Sequence, residues 1–190
     1  MKNPQRLLVD RAIHTVKATF PFHGYVEDTT EAIRETALIL AAGFGSRLRK
    51  KTSTPKPLTK VLGLTFAERV VCTLLDAGVQ QFLVTLGHEA ETVRAHISDI
   101  ARRRGVWIDF IEAKDWEQGN GASALAAKGH TGEAPFFLVM IDHLFDPAIA
   151  RALADIPPAP GEMCLAVDRE KDGIFDLDDV TRIKIDDGHI

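Results

Sequence analysis

From Ala37 onward, short apolar runs bounded by turn-forming residues alternate with segments whose apolar residues recur at helical spacing. The runs at 37–41 (ALILA), 81–86 (QFLVTL), 106–111 (VWIDFI), 135–141 (PFFLVMI) and 162–167 (EMCLAV) read as strands buried on both faces. A strand covered on one face only would alternate polar with apolar residues, and these do not. The first intervening helix is expected near 65–77, with Phe66, Val70 and Leu74 on one face, Val71 and Leu75 beside them, and Gly78 at its end. The second, near 89–104, buries Val93, Ile97 and Ile100 and closes on Arg102, Arg103, Arg104 and Gly105. Cations in a last turn complement the helix dipole, so this basic run reads as a solvated helix end. Strands and helices in this order specify an α/β chain: a Rossmann-like three-layer sandwich around a mostly parallel sheet.

Composition bounds the function. With 23 Lys and Arg against 27 Asp and Glu, the formal charge is −4, so no global field draws nucleic acid or anionic lipid, and any anion needs a local site. The two cysteines, Cys72 and Cys164, lie in apolar surroundings with no CxxC, and read as buried thiols in a reducing compartment. No apolar run reaches the roughly 18 residues of a membrane span, and no signal peptide opens the chain, so the expected location is cytoplasmic. Residues 1–35 read as an N-terminal extension without an assigned role, and 36–190 as the functional domain. The closing VTRIKIDDGHI reads as a strand, an Asp187-Gly188 turn and the first residues of a returning strand, which implies a domain whose C-terminal elements are missing. Sheet edges left open by missing strands would favour self-association.

The segment from Leu40 to Leu58, LAAGFGSRLRKKTSTPKPL, leaves the first strand directly. Ala41 and Ala42 are small, and Gly43 and Gly45 allow close backbone approach, so amide N–H groups can face an anion at the carboxyl end of a parallel strand. Leu48 stands where the dinucleotide fingerprint needs a third glycine, and the spacing of a P-loop is absent. After Gly45 the chain instead supplies Ser46, Arg47 and then Lys56 between Pro55 and Pro57. Backbone donors with two cations suit a triphosphate whose α-phosphorus is attacked and whose pyrophosphate departs.

The string L-A-A-G-x-G-[ST]-R followed by P-K-P-L resembles the signature of nucleotidyltransferases that join nucleoside triphosphates to phosphorylated sugars and head groups. Two further features agree. The strand PFFLVMI ends in Asp142-His143, which puts a carboxylate at the same sheet edge, where Mg²⁺ could bridge it to substrate phosphates. Gly119, Asn120 and Gly121 open a helix, where they can meet a base or ribose or form an ordinary capped turn. With the later A-V-D-R-E and D-V-T-R-I-K-I-D-D-G-H-I strings, the chain from about Ala37 to Ile190 is most similar to inositol-1-phosphate cytidylyltransferases, the soluble half of bifunctional enzymes with a membrane-embedded synthase.

That resemblance implies the nucleotide-diphospho-sugar transferase fold, Mg²⁺ as cofactor, and transfer of a nucleotidyl group from CTP to inositol 1-phosphate. It implies backbone contacts to the nucleotide from Leu40, Ala41, Ala42, Gly43, Gly45 and Ser46, with Arg47 on the β- and γ-phosphates and Lys56 on the α-phosphate. Gly119, Asn120 and Gly121 would line the base pocket, and Asp142 would bind the metal. Asp168, Arg169 and Lys184 would face the acceptor, although surface ion pairs to Glu170 or Asp186 explain the two cations equally well. Family members carry a second metal-binding aspartate on a strand beyond Ile190; Asp176, Asp178 or Asp179 could replace it, or form a solvated acidic loop. Two alternatives stay open: another phosphorylated acceptor, such as a sugar 1-phosphate or phosphocholine, and a non-catalytic nucleotide-binding domain. Nucleic acid is not an expected partner, and the chain contains no membrane half.

Overall fold

The computed structural model describes residues 13–16, 36–45, 52–168 and 183–184. In chain order the elements are β1 (Ile13–Val16), β2 (Thr36–Leu40), β3 (Lys60–Val61), β4 (Leu64–Thr65), α1 (Phe66–Asp76), β5 (Gln81–Leu86), α2 (Ala90–Arg104), β6 (Trp107–Glu112), α3 (Asn120–Leu125), β7 (Phe137–Met140), α4 (Pro147–Ala154) and β8 (Met163–Ala166). They fall into two compact units, one of residues Thr29–Pro147 and the other drawn from both ends of the chain.

The first unit is built on a four-stranded sheet of order β6-β5-β2-β7. Every pairing in it is parallel. Leu38 stands opposite both Leu83 and Leu138, and Thr85 opposite Leu40 and Ile111, so one face carries Leu38, Leu40, Leu83 and Ile111. These four close a buried cluster with Ala127, against which Ala124 of α3 packs. The alternate residues Ala37, Ile39, Phe82 and Val84 are buried as well, and so are Val70, Val71 and Leu74 of α1 and Val93, Ile97 and Ile100 of α2. Burial on both sides of β2 and β5 requires helices above and below the sheet, the three-layer arrangement expected of these runs.

Local chemistry sets the helix ends. The Thr65 hydroxyl accepts the Glu68 amide at 3.2 Å and caps α1. Gly78 and Gly105, at φ +100° and +67°, take the left-handed conformation that ends α1 and α2.

Several strand expectations change. β6 and β7 are the outermost strands of this sheet among the described residues, and they are not buried on both faces: Trp107 is 77% exposed and Leu138 55%. EMCLAV does form a strand, β8, but it pairs antiparallel with β1 in the second unit, with Ile13 opposite Ala166, and it is not covered on both faces. An apolar run reports burial without naming its sheet partner. Neither cysteine is in a disulfide, and both are half-buried rather than fully buried.

The arginine run is also more than a solvated helix end. Arg103 donates to the buried Glu68 carboxylate at 2.7 and 3.1 Å, and Arg104 at 2.8 Å, which ties the end of α2 to the start of α1. These hydrogen bonds, led by those from Arg103, outweigh desolvation and pull the Glu68 carboxyl down to about 2.

Candidate active site

The chain runs from β2 outward to β5 and β6, then returns to place β7 on the other side of β2. The strand order therefore reverses between β2 and β7, and the crevice outside the carboxyl ends of adjacent strands at such a switch point is where open α/β sheets bind ligands. The glycine loop leaves β2 at this point and Asp142 leaves β7.

The floor of the crevice is rigid. Leu40, Ala41 and Ala42 are buried, and three of their backbone groups are already in use. The Ala41 amide donates to Thr85 O at 3.0 Å, Leu40 O accepts Ile141 N at 3.1 Å, and Ala42 O accepts His88 N at 3.0 Å. Gly43 and Phe44 are exposed and Gly45 is half-buried, so the loop opens to solvent only beyond Ala42. Gly45 sits at φ +65°, and a Cβ there would lie 3.3 Å from Lys56 Cβ. Glycine thus serves two ends at this position: a left-handed turn and room for the lysine stem.

Lys56 opens a 3-10 turn over Lys56–Leu58 that follows Pro55 and buries Pro57. Leu58 N donates to Pro55 O at 2.9 Å and Thr59 N to Lys56 O at 3.1 Å, which fixes the backbone beneath the side chain. The Lys56 ammonium forms an ion pair with Asp142 Oδ2. Two residues that the sequence places 86 positions apart (142 − 56) are therefore in direct contact at the crevice. Asn120, exposed at the start of α3, donates its side-chain amide to the Met140 sulfur at 3.8 Å, bringing the Gly119-Asn120-Gly121 turn over the end of β7. Gly119 adopts φ +105°, accessible to glycine and rare for other residues.

One part of this edge has no local signature. Phe44 meets the His88 ring edge-on at 4.7 Å between centroids, and His88 lies 5.6 Å from the Trp116 ring. Gly87 makes the approach possible: a Cβ there would stand 2.5 Å from Trp116 Cγ and 2.8 Å from Ala42 O. These aromatics come from the loops after β2, β5 and β6, and the glycine immediately after β5 is the only sequence trace of their meeting. Beside the glycine loop these mutually inclined rings offer a partly apolar aromatic wall against which a planar ring can pack.

Ser46, Arg47, Arg169 and the 175–180 acidic segment lie outside the described residues, as does most of the terminal hairpin. Asp168 and Lys184 belong to the second unit, and both are exposed. No group of three His, Cys, Asp or Glu side chains able to hold a metal occurs among the described residues. Asp142 alone fits a hard divalent ion that takes its other oxygen ligands from phosphates and water. No helix among the described residues is long and apolar enough to cross a membrane.

The fold is an α/β domain of the nucleotide-diphospho-sugar transferase type, the fold of its structural neighbours. The chain belongs to the MobA-like NTP transferase domain family, whose profile matches residues 37–174. It is 36% identical over 165 residues to a bifunctional IPC transferase and DIPP synthase of Rubrobacter xylanophilus, covering 86% of this chain and 36% of that protein. To the bifunctional IPC transferase and DIPP synthase of Archaeoglobus fulgidus it is 34% identical over 155 residues, 81% of this chain and 28% of that one. The solved inositol-1-phosphate CTP transferase from T. maritima superposes with a TM-score of 0.55 at 30% identity, covering 62% of this chain and 46% of that one. The chain thus spans about a third of the length of the curated relatives it matches.

Proposed function

We propose that this chain transfers a cytidylyl group from CTP to inositol 1-phosphate, with Mg²⁺, releasing pyrophosphate and giving CDP-inositol. The observation that carries the reading is the convergence of Gly45, Lys56 and Asp142 beyond the carboxyl ends of β2 and β7. The names borne by the relatives and by the superposed structure favour this base and acceptor over other members of the family.

In this reading the glycine loop beyond Ala42 receives the triphosphate, and Lys56 moves its ammonium onto the α-phosphate. The wall of Phe44, His88 and Trp116, together with Asn120, bounds the space for the base. An oxygen of the acceptor's phosphate attacks the α-phosphorus; the bond from that phosphorus to the α,β-bridging oxygen breaks, and pyrophosphate leaves with the electron pair. The attacking group is already an anion, so no general base is required, and catalysis rests on positioning and charge neutralisation. Mg²⁺ held by Asp142 would supply neutralisation of phosphate charge. Arg47 is assigned to the departing pyrophosphate, and Asp168, Arg169 and Lys184 to the acceptor.

The test is pyrophosphate release in Mg²⁺ from CTP, UTP, ATP and GTP, each paired with inositol 1-phosphate, phosphocholine or glucose 1-phosphate, with Lys56→Ala alongside. Release confined to CTP with inositol 1-phosphate and lost in the variant is the expected outcome. A different productive pair would replace the substrate assignment. No release from any pair would refute the assignment of activity to this chain.

A further inference from the structure

The ion pair between Lys56 and Asp142 joins the two groups that the proposed reaction needs apart, one on a phosphate and the other on a metal. We propose that the Lys56 ammonium is a resident cation that holds the place of the divalent metal at Asp142, and yields it only when metal and nucleotide arrive together. The inference rests on the nucleotidyl-transfer reading and adds to it an order of events.

Three observations support the exchange. The lysine is delivered to this spot by a stiff frame: Pro55, the 3-10 turn, the buried Pro57, and a stem laid against Gly45, where Lys56 Cβ comes within 3.3 Å of the position a glycine Cβ would take. Only the end of the side chain is free to swing. The two partners are 31% and 22% exposed, so the pair is open to ligands at one end while its stems are held. Finally, Asp142 is not part of any group of three or more His, Cys, Asp or Glu side chains able to hold a metal among the described residues. Among the described residues, a divalent ion entering by itself would displace the ammonium and gain the one carboxylate, with no three-ligand site to hold it.

The charges give the direction. With Lys56 in place, the carboxylate is neutralised and free metal finds little attraction. Nucleotide without metal would draw the ammonium away and leave Asp142 facing phosphate oxygens of the same sign. The metal–nucleotide complex resolves both problems, because one ion pair becomes two contacts: carboxylate to metal, and ammonium to phosphate. Metal and nucleotide should therefore bind synergistically, each poorly without the other.

The experiment titrates Mn²⁺, read as free ion by electron paramagnetic resonance, against the full chain without nucleotide, comparing wild type with Lys56→Met, Lys56→Arg and Lys56→Met/Asp142→Asn. Lys56→Met should bind Mn²⁺ about tenfold more tightly than wild type, the scale of one partly solvated charge-assisted contact. Lys56→Arg keeps the cation and should stay near wild type, and the double variant should lose the gain. Equal affinity in wild type and Lys56→Met, or a gain that survives Asp142→Asn, would overturn the proposal. Adding CTP to the same wild-type samples separates the two readings. If CTP fails to bind even with Mn²⁺, the nucleotidyl-transfer reading fails, whereas the nucleotide-free titration still decides whether Lys56 excludes the metal.

Discussion

Replacing Glu68 by Gln removes one negative charge from a site where two arginines converge, and it keeps the shape of the side chain. Glu68 is 7% exposed and accepts three hydrogen bonds from Arg103 and Arg104. Its carboxyl is held at about 2 against an ordinary 4.5, chiefly by the Arg103 hydrogen bonds and despite the opposing effect of burial. At about 1.4 kcal/mol per pH unit, the full shift would correspond to roughly 3 kcal/mol. The arginines are themselves 40% and 38% exposed, so water screens part of this, and a loss of about 1–2 kcal/mol is expected. For a chain of this size that is about 2–8 °C in melting temperature. The sign with pH follows from linkage. A depressed carboxyl contributes its stability in full above about 4.5, and the contribution fades as pH falls toward 2. Thermal melts of wild type and Glu68→Gln should therefore differ most near pH 7 and converge as pH is lowered through that window. A difference that is absent at pH 7, or unchanged down to about pH 3, would refute the reasoning.

Two other substitutions probe the floor of the crevice. Gly87→Ala would press a methyl group into the Trp116 ring and the Ala42 carbonyl oxygen, at 2.5 and 2.8 Å. It should cost about 1–3 kcal/mol in chemical denaturation and weaken nucleotide binding, as a displaced loop cannot keep its shape. The Thr85 hydroxyl is fully buried without a hydrogen-bond partner, on the strand beneath the glycine loop. Thr85→Val should accordingly leave the melting temperature unchanged or raise it by an amount equivalent to about 1 kcal/mol, since an unsatisfied polar atom is exchanged for a methyl.

The alternation of strands and helices was legible because β2 and β5, covered on both faces, are largely apolar runs, and α1 and α2 repeat their apolar residues at helical spacing. Val93, Ile97 and Ile100 are buried as that spacing requires. The same logic misjudged β6, β7 and β8, since composition alone does not distinguish a central strand from an edge strand, or one sheet from another. The arginines at the end of α2 were read from local electrostatics, whereas their partner Glu68 lies 35 and 36 residues earlier and has no sequence mark of its own. At the crevice, glycines, prolines and an aspartate after a strand stand out because each answers a backbone or ligand demand. The pairing of Lys56 with Asp142 and the meeting of Phe44, His88 and Trp116 depend on which loops the strand order brings together, a property of the fold that no single segment carries.

The proposed chemistry occurs beyond the carboxyl ends of β2 and β7, with Asp142 as the carboxylate that would hold the metal. The most direct measurement is the rate of pyrophosphate release from CTP and inositol 1-phosphate in Mg²⁺ by wild type and Asp142→Asn, both checked for an intact fold by circular dichroism. The expected result is a fall of about a hundredfold or more, the scale on which loss of a phosphate-neutralising group acts. A folded Asp142→Asn chain that releases pyrophosphate at the wild-type rate would contradict the placement of the active site.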